Sequence, residues 1–196
     1  MILGITGTNG AGKGSVVEYL VKEKGFAHYS VRDLVMEEVE RRGLPLNRTN
    51  IGETATSMRA EFSPSYFVET FLKRANEEGK SDVIIESIRT LKEADHLKDH
   101  GAYLVGVNAP VEERYRRITA RGSVTDHVSF EDFRAQEDAE YSPKDATDPS
   151  QMNVLGVLER ADYTVINDGT VGELSAKIED MLTHIASLHA THTREN

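Results

Sequence analysis

The sequence predicts a three-layer α/β domain, and three observations predict it. Five short apolar runs, at residues 2–6, 26–30, 83–85, 103–107 and 163–166, are bounded by turn or charged residues, as buried parallel strands are. Helical patterns lie between them, and a glycine-dense turn joins the first run to the first helix. In such a fold the sites gather at the carboxyl ends of the strands.

Residues 2–15, ILGITGTNGAGKGS, pass from the first strand through that turn into a helix, with Gly7, Gly10, Gly12 and Gly14 along the way. Glycines let the backbone aim successive N–H groups at one anion. The helix opening after Lys13 adds its first-turn amides and positive dipole end, and Lys13 adds a mobile point charge. Asn9, Gly10, Ala11, Gly12, Lys13, Gly14 and Ser15 are therefore the expected phosphate-binding residues. The pattern G-x-x-x-x-G-K-S/T is met from Gly7 to Lys13, but Gly14 stands where a hydroxyl touching Mg2+ is usual, and Ser15 comes one step later. A metal would then be held mainly by phosphates and water. The alternative is an ordinary glycine-rich turn.

Val16, Val17, Leu20 and Val21 give the first helix its apolar face, and Val35, Met36 and Val39 do the same after the second strand. Residues 43–80 carry helical signals without a strand, among them Ser63 before Pro64. Thr90 with Glu93, Pro110, Ser129 with Asp132, and Thr170 with Glu173 mark further helix starts. Residues 122–153 are polar, and SVTDH and SPKDATDPS within them read as loops. Residues 1–185 thus form one domain with a helical insertion at 43–80 and a lid and loop region at 122–153. Residues 186–196 read as a flexible tail.

Beyond the glycine turn, the second chemical signal is DVIIESIRT, residues 82–90. Glu86 comes at the end of a buried strand, where an acid would orient the waters of a Mg2+ ion, and Arg89 follows close enough to grip an acceptor phosphate. The alternative is a solvated strand end with a local ion pair. Asp33 has two equal readings: a group that orients or deprotonates the attacking oxygen, or the partner of Ser30 in a capping box. Arg32 and Arg59 are candidate acceptor contacts, with solvated arginines as the competing reading. Arg114, Arg117 and Arg121 recur at intervals of three and four, so they share a helix face that would neutralise transferring phosphoryl oxygens. Glu112 and Glu113 would instead make that face a salt-laced surface.

Composition limits the function classes. The chain has 196 residues, 38% of them hydrophobic, and no cysteine, which suits one domain with its own core and no disulfide framework. No apolar stretch approaches the ~20 residues of a membrane span, and no basic leader precedes the first strand, so a cytoplasmic address is expected. A net charge of −10 disfavours binding to nucleic acid or anionic lipid and leaves small molecules as the expected partners. His184, His189 and His192 have a spacing that fits no familiar metal-ligand pair.

The order of GITGTNGAGKGS, SVRDLVMEEVERRGLP, IIESIRTLKEADHLK, RYRRITARG and ADYTVINDGTVGEL resembles the dephospho-CoA kinase-like branch of the P-loop nucleotide kinases, including its archaeal adenylate kinase-like members, up to about residue 183. The resemblance implies a P-loop NTPase fold with a five-stranded parallel sheet, and transfer of the γ-phosphoryl of ATP to a nucleotide. It also implies adenine contacts around Asn167–Thr170. Two departures stand out: Val31 replaces the first acid of the dephospho-CoA kinase turn, and Met36 replaces an adenylate kinase arginine. The implied machinery is Lys13 on the β and γ phosphates, Glu86 on the metal waters, and Arg32, Arg59 and Arg89 on the acceptor. Closure of 122–128 would bring Arg117 and Arg121 over the γ-phosphoryl. The competing readings are a dephospho-CoA kinase and an ATP-binding sensor or slow ATPase without a dedicated acceptor.

Overall fold

A computed structural model describes residues 1–123, 126–143 and 145–195. Five parallel strands, β1 (Ile2–Gly7), β2 (Ala27–Ser30), β3 (Val83–Glu86), β4 (Tyr103–Asn108) and β5 (Tyr163–Ile166), form one sheet in the order β2-β3-β1-β4-β5. This is the three-layer α/β domain that the apolar runs predict, in the P-loop NTPase arrangement that the resemblance implies. The register sets Glu86 level with Ile5 of β1 and Ser30 of β2, so the carboxyl ends of three strands meet at one edge of the sheet.

Each face of the sheet carries its own core, because alternate strand residues point to opposite sides. On one face Leu3, Ile5, Ile84, Val105 and Val165 pack against α1 (Lys13–Lys24) and α9 (Val171–Glu195). On the other, Val83, Ile85 and Leu104 pack against α2 (Val31–Arg41), α3 (Arg48–Glu61), α4 (Tyr66–Glu77), α5 (Leu91–Asp99) and α8 (Val154–Glu159). A β-carbon on Gly4 would sit 2.4 Å from Leu97 Cδ1, so its lack of a side chain is what lets α5 lie close on the sheet. The remaining helices of the described residues are α6 (Val111–Arg121) and α7 (Phe130–Tyr141).

Some expectations need correction. The buried face of α2 is Val31, Val35 and Val39; Met36 is only partly buried. Ser63 does not start α4, which opens at Tyr66 after Ser65; its hydroxyl instead accepts from Ser65 N and donates to Glu69. The polar 122–153 stretch contains α7, begun where Ser129 Oγ accepts from Asp132 N at 3.0 Å. α9 continues through 186–195, where the sequence reads as a tail. No helix of the described residues is long and apolar enough to cross a membrane.

Candidate active site

The loop between β1 and α1 takes its shape from backbone that only glycine fits. Gly12 caps α1 with φ +97, and a β-carbon there would lie 2.1 Å from Asn167 Nδ2. Gly10, at φ +77, would put a β-carbon 2.4 Å from the Arg114 carbonyl oxygen. Asn167 Nδ2 donates to Ala11 O at 2.9 Å, and Arg117 reaches both Asn167 O (3.0 Å) and Ala11 O (3.4 Å). These braces act from behind the loop. Gly14 and Ser15 lie exposed in the first turn of α1, with open space beside Gly14.

Lys13 folds back over the loop, its Nζ donating to Gly7 O at 3.0 Å and Thr8 O at 2.9 Å. Burial and then the charge of Arg89 lower its pKa to about 7, while Glu86 and Glu140 oppose the fall. Glu86 is half-buried at the end of β3 and meets His28 Nε2 at 3.1 Å. Burial pushes its pKa up, but the His28 hydrogen bond and the charge of Lys13 outweigh that and hold it below the usual carboxylate range. The next residue, Ser87, has φ +74, a conformation that costs on the order of 1–3 kcal/mol and is held by Ser87 N and Ile88 N donating to Ile5 O.

A pocket opens beside the loop. Asn9 lines it together with Arg32, Arg48, Arg59, Arg89 and Glu140, and Val31, Val35, Ile51, Ala55 and Met152 supply apolar walls. Arg89 pairs with Glu140, whose other oxygen takes Arg48 Nε at 2.7 Å and Nη2 at 2.6 Å. Burial, then the nearby Arg89 and Arg121, lower the pKa of Arg32. Arg59 is fully buried: its Nε donates to Glu93 at 2.8 Å, its guanidinium lies over Phe67, and its Nη1 has no hydrogen-bond partner among the described residues.

The arginines of α6 do not act as one face. Arg114 is buried, pairing with Glu137 and donating to Ala109 O at 2.9 Å. Arg117 braces the loop as described, and Arg121 makes two hydrogen bonds of 2.8 Å to Asp126. The 122–128 segment read as a lid includes residues 124 and 125, which lie outside the described residues. Asp33 is exposed and lines a separate hollow with His28, Tyr29 and Arg74. Its amide donates to Ser30 Oγ at 3.2 Å, which is the capping reading.

Sequence reasoning missed Arg48, Glu140 and His28. Arg48 and Glu140 meet across 92 positions, so no local pattern announces them. His28 offered one signal: with Glu86 ending the neighbouring strand, it sits two residues before Ser30, on the same side of the ladder. His184 and His189 rest against Tyr163 and Tyr103. Among the described residues no group of three or more His, Cys, Asp or Glu could hold a metal ion. The glycine cradle at the helix start, with Lys13 beside it, fits the phosphates of a nucleotide.

The model of the AAA domain family matches residues 3–141. The chain is similar to the UPF0200 protein TK1334 of Thermococcus kodakarensis, 28% identical over 193 residues, covering 95% of this chain and 99% of that one. Its fold is similar to a shikimate kinase from Aquifex aeolicus, with TM-score 0.56 and 18% identity, covering 95% of this chain and 98% of that one. A dephospho-CoA kinase from Campylobacter jejuni has TM-score 0.52 and 17% identity, covering 96% of this chain and 98% of that one. At these identities the two likenesses concern the fold alone.

Proposed function

The chain belongs to the AAA domain family, and from that premise we propose that it is an ATP-dependent phosphotransferase acting on a nucleotide-type acceptor. One observation carries the reading: Asn9 of the phosphate loop lines the same pocket as Arg32, Arg48 and Arg89. A donor cradle and a cationic acceptor cavity therefore share a wall, as in-line transfer requires.

The γ-phosphoryl of ATP would lie against the amides of Asn9–Ser15, with Lys13 leaving its carbonyl partners to follow the charge. An acceptor oxygen bonds to phosphorus as the bond to the β–γ bridging oxygen breaks, and ADP leaves. Mg2+ would be held through water by Ser15 and Glu86 and would supply charge neutralisation to the phosphates. Arg89 and Arg32 orient the acceptor, and Glu86 orients water near Ser15. A dianionic phosphate acceptor has no proton to remove. Asp33 outside the pocket is thus compatible with a phosphate acceptor, as in a nucleoside monophosphate kinase, and less so with a hydroxyl acceptor, as in a dephospho-CoA kinase. The same placement favours a second reading, an ATP-binding sensor or slow ATPase with no acceptor chemistry.

ADP formation from ATP and Mg2+ against a panel of ribo- and deoxynucleoside monophosphates and dephospho-CoA, with identification of the phosphorylated product, separates these readings. Acceptor-dependent turnover with at least one monophosphate is expected. ATP hydrolysis indifferent to every acceptor would overturn the proposal in favour of the second reading.

A further inference from the structure

The acceptor pocket already contains an anion. Glu140, near the end of α7, places one carboxylate oxygen on Arg48 Nε and Nη2, at 2.7 and 2.6 Å, and the other on Arg89. One carboxylate thus spans two guanidiniums, as two oxygens of a phosphate would. It is nearly buried there, at 13% exposure. Glu140 and Arg48 also line an adjoining hollow of about 470 Å3, walled by Thr49, Thr56 and Gln136, so the Glu140 side chain has volume to turn into.

We propose that Arg48 and Arg89 form the phosphate subsite of the acceptor, that Glu140 fills it until the acceptor displaces it, and that the acceptor is a phosphomonoester. The charge arithmetic selects the class. Exchanging Glu140 for a ligand carboxylate swaps one unit charge for another and still costs the ligand its freedom. A phosphomonoester brings about −1.5 to −2 at pH 7, and Arg32 and Lys13 lie within electrostatic reach of the same Arg89. Only the more highly charged group gains by the exchange. Arg59 adds nothing to this balance, since Glu93 already answers it.

The inference rests on the phosphotransferase reading for the identity of the pocket, but its test uses neither ATP nor turnover, so either can fail without the other. Calorimetric titration with phenyl phosphate and with benzoate presents one ring carrying two different charges. The unaltered protein should bind phenyl phosphate and prefer it to benzoate. Glu140→Gln should bind phenyl phosphate at least about tenfold tighter, because a subsite open a tenth of the time or less weakens apparent affinity by that factor. The gain should vanish in the double variant Glu140→Gln, Arg48→Ala. Equal binding by Glu140→Gln and the unaltered protein overturns the proposal, as does a gain that survives loss of Arg48, which would belong to the loop around Lys13. On the unaltered protein, phenyl phosphate should speed amide exchange at the end of α7, residues 138–142, and benzoate should not. Unchanged exchange at saturating phenyl phosphate also overturns it.

Discussion

Arg59 Nε lies 2.8 Å from Glu93 Oε1, with both side chains out of solvent beneath the arginine-lined pocket. The other oxygen of Glu93 accepts from Arg89 N at 2.9 Å and Thr90 N at 3.1 Å, closing the capping box at the start of α5. Arg59 is thereby tied, through one carboxylate, to the backbone that carries Arg89. Its position is structural first, whatever its Nη1 offers a ligand.

Arg59→Ala is expected to lower the unfolding free energy by about 3–5 kcal/mol, because it leaves Glu93 buried without its counter-charge. Urea denaturation measures this directly. If Arg59 were chiefly an acceptor contact, the variant would keep its stability and raise only the acceptor KM.

What the sequence disclosed, and what it hid, divides by range. The strands were legible because runs such as Val83–Ile85 are apolar on both faces, and the caps at Ser30, Thr90 and Thr170 because each partner lies three residues away. The start of α7 was legible in the same way, at Ser129 with Asp132, but what holds the helix in place was not, since Phe133 is its one fully buried apolar residue. It is tied down by ion pairs from Glu137 to Arg114 and from Glu140 to Arg48 and Arg89, which no periodicity encodes. The glycine loop was visible as a motif. The arginine pocket was visible only in part, because Arg32 and Arg89 follow strand ends whereas Arg48 enters from the insertion.

Lys13→Ala should cost at least ~100-fold in turnover if its charge follows the phosphoryl group into the transition state. The substitution also removes two hydrogen bonds to Gly7 O and Thr8 O, so circular dichroism and thermal melting should accompany the kinetics. A folded variant with near-normal turnover would remove Lys13 from the machinery.

The depressed pKa of Lys13 makes nucleotide binding depend on pH. With its pKa at about 7 in the nucleotide-free protein, the side chain is mostly neutral at pH 8, and the phosphates of ATP favour the charged form. Binding at pH 8 should therefore take up a proton, and affinity should fall as pH rises from 7 to 9. Calorimetry in buffers of different ionisation enthalpy measures the uptake. For the nucleotide-free protein the stability effect has the opposite slope. The unfolded chain keeps this proton up to the ordinary lysine range of about 10.4, so it binds more protons than the native state above pH 7, and this group adds stability as pH rises. The melting temperature of the unaltered protein should rise relative to that of Lys13→Met from pH 6.5 to pH 9.

Gly12 and Gly14 stand two residues apart and should respond oppositely to a side chain. A β-carbon at Gly12 would meet Asn167 Nδ2 at 2.1 Å, on a backbone with φ +97 that other residues rarely adopt. Gly12→Ala should therefore displace Asn167 from Ala11, open the rear of the loop and abolish ATP binding. Removing the obstacle with Asn167→Ala should restore little, because the φ strain remains. Gly14 lies within α1 with nothing within 4 Å of the added carbon. Gly14→Ser, which completes the strict G-K-S pattern, should fold normally and gain a few tenths of a kcal/mol from helix propensity. Chemical denaturation and ATP titration of the two variants check both halves. A destabilised Gly14→Ser, or a Gly12→Ala that still binds ATP, would mean that the loop is not shaped as described.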